Sequence, residues 1–271
     1  MSKTFRPWDV DQVWLLPPSI QDLVPGGHVA HFVRDTVRTG LDLSAIMDTY
    51  TEERGYPPYH PGMMVALLLY AYSQGVYSSR RIARACEERL DFAAVTGLQH
   101  PDFRTISDFR KRHLKALAGL FQQVLKLCRG AGLVKLGHVA LDGTKIKANL
   151  GINPEEVSAD AGYCSQANLL TLSRRRIEAY VATGRQKHGT KAAVTKRSAN
   201  KPLIVQMSTK LKRGGYRSRY RLRKQIVEPV FGQIKQARGF RQFLLRGIEQ
   251  VQSEWAMLCI AHNLCKLAGA R

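Results

Sequence analysis

Acidic residues are scarce in this chain of 271 residues: 21 Asp and Glu stand against 42 Lys and Arg, leaving a net charge of +21. Such an excess attracts polyanions and releases their counterions on binding. Nucleic acid fits that charge best, and an anionic membrane surface is the competing partner. Long apolar runs are missing as well. The longest, Met63 to Tyr72, is too short to span a bilayer, and the opening stretch MSKTFRPWDVDQ lacks the apolar segment of a signal peptide. Cysteine is sparse and scattered: Cys86, Cys128, Cys164, Cys259 and Cys265 form no Cys-x-x-Cys pair. That argues against a disulfide framework or a zinc ribbon and points to a reducing cytoplasm. Cys259, His262 and Cys265 can share one helix face, but no fourth ligand accompanies them, so they read as core residues, His262 included.

What is present is an ordinary hydrophobic content of 44%, enough for a core, in a length that suits about two domains. The first half reads as helices. Pro61 opens an apolar segment that runs to Gln74 and stops at Gly75. Ser78 and Ser79 suit the N-cap of a second helix, Arg80 to Leu90, with Ile82, Ala83 and Cys86 turned inward. Helix, tight turn and arginine-led second helix is the outline of a helix-turn-helix, although plain helical hairpins share it. Thr105-Ile-Ser-Asp108 has the pattern of a capping box. It leads into an expected long helix with Ile106, Phe109, His113, Leu117, Phe121, Val124 and Cys128 at helical spacing, ended by Gly130.

At Gly137 the periodicity changes. His138 to Asp142 is short, apolar and glycine-flanked, as a buried strand is. Glu156 to Asp160 has the same form, and Ile177 to Val181 reads as a third strand. Between them Ser165 can cap a helix reaching about Arg174. Residues 184 to 201 are polar and loop-like; Gly184 to Thr190 lacks the Lys-Ser/Thr that completes a phosphate loop. From Lys212 to Lys224 seven residues are basic and none acidic, with Tyr216 and Tyr220 interleaved. A solvated face can look like this, but one-signed charge with interleaved rings favours contact with nucleic acid. The last amphipathic helix spans Ile248 to Leu267.

In so acid-poor a chain, Asp142 and Asp160 at the ends of apolar strands need a reason, because a buried carboxylate is costly unless something positive meets it. Two such ends with a third acid make an oxygen cage suited to Mg²⁺ or Mn²⁺. The competing reading is that both acids cap turns.

Three blocks carry a resemblance: Leu141-Asp142-Gly-Thr-Lys-Ile-Lys-Ala-Asn149, Ala159-Asp160-Ala-Gly-Tyr-Cys164, and Val227-Glu228-Pro-Val-Phe-Gly-Gln-Ile-Lys235 followed by Arg238-Gly-Phe. They resemble the acidic blocks of bacterial insertion-sequence DDE transposases. His60-Pro-Gly-Met, Ser78-Ser79-Arg80 and Thr105 to Arg110 resemble the helical N-terminal domain of one branch. The resemblance implies an RNase H-like catalytic fold with Asp142, Asp160 and Glu228 as catalytic and metal-binding acids, Asp142 ending the first strand and Asp160 following the fourth. It maps a Tyr, Arg, Glu, Lys signature onto Tyr220, Arg223 or Lys224, Glu228 and Lys235. Pro229 disfavours helical geometry at Glu228, which places that acid at a kink or a helix start. Family members carry a long stretch with two strands and a helix between the first two acids; here those acids are 18 residues apart. An interior block is missing near Leu150.

The expected architecture is α+β and mostly helical. Residues 1–132 form a helical DNA-binding domain with helix-turn-helix character, able to fold alone, and residues 133–271 a truncated RNase H-like domain. Candidate DNA-binding residues are Arg80, Arg81, Arg110, Lys212, Arg213, Arg217, Arg219, Tyr220, Arg223, Lys224 and Lys235. The partner is DNA at an element's terminal inverted repeats, with a homodimer on DNA as the candidate assembly and no membrane. The expected function is that of a transposase, DNA binding with metal-dependent strand cleavage and transfer, in an internally deleted and catalytically impaired copy. The alternative is a non-enzymatic, basic DNA-binding regulator.

Overall fold

The computed structural model describes residues 19, 21–22, 24–51, 57–133, 138–141, 154–183, 202–214 and 223–270. The chain is α+β and dominated by helix, as expected. Its helices are α1 (Val29–Thr39), α2 (Ser44–Met47), α3 (Pro61–Ser73), α4 (Ser79–Glu88), α5 (Leu90–Thr96), α6 (Phe103–Arg112), α7 (Leu114–Gly130), α8 (Gln166–Arg174), α9 (Pro202–Gly214), α10 (Arg223–Gly232) and α11 (Ile248–Ala268). Three strands, β1 (His138–Leu141), β2 (Glu156–Ala159) and β3 (Glu178–Val181), form one parallel sheet in that order.

α3 is the hub of the helical part. Pro61 sits in its first turn, the His60 imidazole accepts the Gly62 amide, and every residue from Met64 to Ser73 is buried. A helix apolar on all sides has to be enclosed, and α1, α5 and α11 enclose this one. α4 starts at the expected cap, with Ser78 Oγ accepting the Arg81 amide, and rests through Ile82, Ala85 and Cys86 on α5 and α6. The turn between α3 and α4 needs Gly75: its φ is +75°, and a Cβ there would lie 2.7 Å from the Arg238 carbonyl oxygen.

The long helix expected from Thr105 to Gly130 divides at His113. α6 begins earlier, at Phe103, because the Asp102 carboxylate accepts the Arg104 and Thr105 amides and the Thr105 hydroxyl. The division is held by rings: His113 is buried, 4.7 Å from Phe109 and 5.7 Å from Tyr50, whose hydroxyl meets its Nε2 at 3.3 Å. Beyond it, α7 turns Leu117, Leu120, Val124 and Cys128 inward.

The helical core is not confined to residues 1–132. α11 packs along α7 and α3, and one cluster joins Ala30 through Cys128 to Ile234, Phe240 and the apolar side chains of Trp255 to Leu267. A second, small cluster of Ala159, Leu169, Ala179, Val181, Ile204 and Met207 lies between the sheet, α8 and α9. The larger core therefore draws on residues on both sides of position 132. His262 is a core residue, as its place on α11 suggested, and burial beside Arg238 and Lys266 pushes its pKa down to about 4.

All three strands fall where the sequence placed them. Ser165 caps α8, its hydroxyl accepting the Asn168 amide. α9 covers the free side of β3: Lys210 Nζ donates to the Ala179 carbonyl at 3.0 Å and pairs with Glu178 at 3.2 Å, above the Tyr180 ring. Tyr180 and Lys210 together hold the Glu178 carboxyl below the usual carboxylate range. The rejected phosphate-loop candidate, residues 184–190, lies outside the described residues. No helix among the described residues is long and apolar enough to cross a membrane.

Candidate acidic site and nucleic-acid interface

Asp160 follows directly on β2. It is half-buried, and its Oδ1 accepts the Gly162 amide at 3.0 Å, capping the short 3₁₀ turn Ala161–Tyr163. The turn-capping role raised from sequence is thus present, and it leaves the second carboxylate oxygen outside that bond. β1 and β2 pair in parallel with Leu141 opposite Ala159. The next residue in each strand's sequence is an aspartate, Asp142 or Asp160; Asp142 itself lies outside the described residues. Glu228 is exposed on α10, and α10 packs against β1. The elements that carry or precede all three acids are therefore neighbours.

Of the two places expected for Glu228 from Pro229, a kink or a helix start, the helix start is corrected. α10 begins at Arg223 and passes through Pro229. A proline inside a helix removes one amide donor and crowds the preceding turn. The chain continues instead as a π-helical turn, Gln233–Ala237, closed by the Arg238 amide on the Gln233 carbonyl at 3.0 Å. Such turns absorb an extra residue and often mark functional segments. Lys235 is exposed there, with its ammonium 5.2 Å from the Phe231 ring centre.

The basic candidates separate by environment. Arg80 and Arg81 are exposed in the first turn of α4, and Lys212 and Arg213 in the last turn of α9. Arg223 and Lys224 open α10. Arg217, Arg219 and Tyr220 lie outside the described residues. Arg110 is different. It is 5% exposed, and its guanidinium donates to the Tyr72 hydroxyl at 3.1 Å, the Tyr77 carbonyl at 3.0 Å and Ser79 Oγ at 3.3 Å. A cation held inside on three partners is not available to a phosphate, so Arg110 is a structural residue joining α6 to α3 and the start of α4.

A cluster that the sequence reading missed takes its place. Phe103, at the start of α6, is partly exposed, with the Arg80 guanidinium 5.2 Å and that of Arg104 5.8 Å from its ring centre. Two helix starts thus present arginines around one aromatic ring. The signal was there in Asp102-Phe-Arg104, since a cap at Asp102 puts both following side chains in a first turn; the capping-box pattern at Thr105 masked it.

The segment after Glu228 is anchored on the helical core. The Tyr77 hydroxyl donates to the Arg238 carbonyl at 2.9 Å, Phe240 meets the Tyr77 ring edge-on at 5.0 Å, and Arg238 lies 3.4 Å from His262 Nδ1. Burial, eased slightly by Arg238, pushes the Tyr77 phenol up to about 12. Glu254 on α11 is fully buried and accepts the Leu244 and Leu245 amides at 2.9 and 3.1 Å.

Comparison with known families gives two matches. Residues 18–112 match the family described as a transposase domain (DUF772), and residues 180–268 match a transposase DDE domain. The chain belongs to the insertion-sequence DDE transposases. Together the matches span about two-thirds of it, and they leave no support for a regulator without transposase ancestry. Glu228 falls inside the DDE match; Asp142 and Asp160 precede it. No curated protein and no solved structure gives a significant match. Transposases act on DNA, and a DDE domain implies dependence on a divalent metal in general. Among the described residues no three His, Cys, Asp or Glu side chains converge as a metal site.

Proposed function

We propose that this transposase binds DNA at the terminal inverted repeats of an insertion element, in the cytoplasm and as a homodimer on DNA. Its catalytic half derives from an RNase H-like fold in which Asp142, Asp160 and Glu228 serve as the seat of Mg²⁺ or Mn²⁺. The observation that carries this reading is the in-register parallel pairing of β1 with β2, with α10 against β1. It supports a common location for the three acids. Three carboxylates are hard oxygen donors, the chemistry that suits these ions. Asp142, Asp160 and Glu228 would hold the divalent ion, which would supply Lewis-acid activation of a water or 3′-hydroxyl and stabilisation of the leaving oxygen of a phosphodiester. Exposed Arg80, Arg81, Arg104, Lys212, Arg213 and Lys235 hold phosphates, with Arg217, Arg219, Tyr220, Arg223 and Lys224 extending the basic track.

Strand cleavage and transfer are impaired in this copy. Productive geometry demands acids held to within about 0.5 Å by packed elements. Among the described residues the sheet has three strands of four residues, supported by a small cluster, and only residues 142–155 connect β1 to β2. β1 has one neighbouring strand among the described residues. The test is strand transfer on a supercoiled plasmid with Mg²⁺ or Mn²⁺, run beside Asp142→Ala and Glu228→Ala. Equal inactivity of all three proteins, with DNA binding retained, is the expected result. Joining of ends by the unaltered chain and by neither variant would show that the short connection closes the site.

A further inference from the structure

The segment that follows the π-helical turn ends in a surface loop of unusual composition. From Arg238 to Gly247 the sequence has three cations, Arg238, Arg241 and Arg246, and no acid; Glu249 follows in the first turn of α11. In this loop Phe243 and Leu244 are each 41% exposed, and Ile248, the first residue of α11, is 78% exposed. Three large apolar side chains left exposed within six residues are a candidate docking point.

This loop is held from beneath. The Tyr77 hydroxyl fixes the Arg238 carbonyl, and Phe240 is buried against Tyr77. Phe243 leans edge-on against Phe240 at 5.3 Å and Trp255 at 6.3 Å while keeping part of its ring outside. The buried Glu254 carboxylate takes the two amides of Leu244 and Leu245. Gly247, with φ +97°, then turns the chain into α11. The apolar tip is thus preset, and exposed Arg241 and Arg246 flank it.

We propose that this loop is a DNA-distorting wedge: Phe243, Leu244 and Ile248 enter beside an unstacked base while Arg241 and Arg246 hold the adjoining phosphates. The inference rests on the DNA-binding reading above. The charge selects the partner. A second copy of the chain meeting this loop across a two-fold axis would set like cations against one another, whereas DNA supplies the missing negative charge and an apolar face in each base. Apolar side chains inserted between base steps offset the cost of unstacking, and they do so best where a base is already loosely stacked.

The experiment compares the full chain on two short duplexes of mixed sequence, one fully paired and one with a central mismatch. Binding is followed by fluorescence anisotropy, and sedimentation reports the oligomer. The full chain is expected to prefer the mismatched duplex by roughly tenfold, the scale of one base stacked on a side chain. Leu244→Ala combined with Ile248→Ala, both exposed and so harmless to the fold, should abolish the preference while leaving affinity for paired DNA and its salt dependence unchanged. Phe243→Ala should act in the same direction. Binding of both duplexes without preference, or a preference that survives the double variant, overturns the wedge and leaves DNA binding standing. A double variant that only shifts a dimer toward monomer overturns it in favour of self-association. Failure to bind either duplex at low salt removes the DNA-binding reading and the wedge with it.

Discussion

Removing α11 from the transposase tests how its helical part is built. The helix places Trp255, Met257, Leu258, Ile260, Leu264 and Leu267 in the core shared with α1, α3 and α7. At about 1.5–3 kcal/mol for each large apolar side chain withdrawn from water, their burial contributes on the order of 10 kcal/mol, an upper figure because unfolded chains already bury some surface. A typical domain has only about 5–15 kcal/mol of net stability. Fragments 1–132 and 1–247 should therefore show weak helicity and a broad, non-cooperative melt by circular dichroism, where the full chain melts in one transition. The truncation also uncovers the side of α3 that packs on α11, so both fragments should associate and bind a hydrophobic dye. A sharp melt of fragment 1–132, at a temperature near that of the full chain, would refute the reasoning and restore the independent domain expected from sequence.

Three further outcomes follow from substitutions outside α11, and a fourth from a histidine within it. Arg110→Ala should lower stability by about 3 kcal/mol or more in urea titrations, because it strips partners from buried groups, and should leave the salt dependence of DNA binding unchanged. Arg80→Ala with Arg81→Ala should do the reverse, keeping stability and reducing the slope of log K against log salt by about 1.8, at ~0.9 for each phosphate left without its cation. Gly75→Ala combines a positive φ with a Cβ 2.7 Å from the Arg238 carbonyl, so urea titration should show a loss of about 1–3 kcal/mol. His262 has a folded pKa of about 4, below its ordinary value of 6.5. The unfolded chain then takes up the proton first, so stability should fall as pH drops from about 6.5 toward 4, by about 1–2 kcal/mol after allowance for solvent screening. His262→Gln should flatten that part of the pH profile, and an unchanged profile would contradict the assignment.

Much of the local structure was legible because it is written in local chemistry. Pro61 and Gly75 bracket α3, Ser78 and Ser165 cap their helices, and each of the three strands is a short apolar run beside glycine or a polar turn. What was hidden depends on partners distant in sequence. Nothing near His113 announces a break; Tyr50 and Phe109 hold it. α10 passes through Pro229 against local preference, with the β1 strand at its side and the π-helical turn beyond. Arg110 looked like a phosphate ligand because arginine usually is exposed, yet Ile106, Phe109, Arg110 and His113 follow one inward face, which was the clue. The acids were found by their blocks and not by geometry: a turn-capping Asp160 looks the same in sequence whether or not a metal shares it. The place of His262 on α11 pointed to the core, but the extent of burial was hidden: the helix expected to be amphipathic has Ser253 to Leu258 buried in succession, enclosed on more than one side.

Among the described residues, buried membership of the larger core has a gap along the chain: it stops at Cys128 and resumes at Ile234. The described residues between, apart from Val230 and Phe231 packed at its edge, lie outside that core, like a parenthesis within a sentence. Both brackets are fixed by helices that touch, α7 and α11, so the spacing of the two ends is set whatever lies inside. The closure entropy of such a loop changes by only about 0.6 kcal/mol for each doubling or halving of its length. A helical body of this design tolerates large gains and losses of sequence in the sheet region, and a block of strands can vanish from the one part of the molecule whose length the rest does not measure.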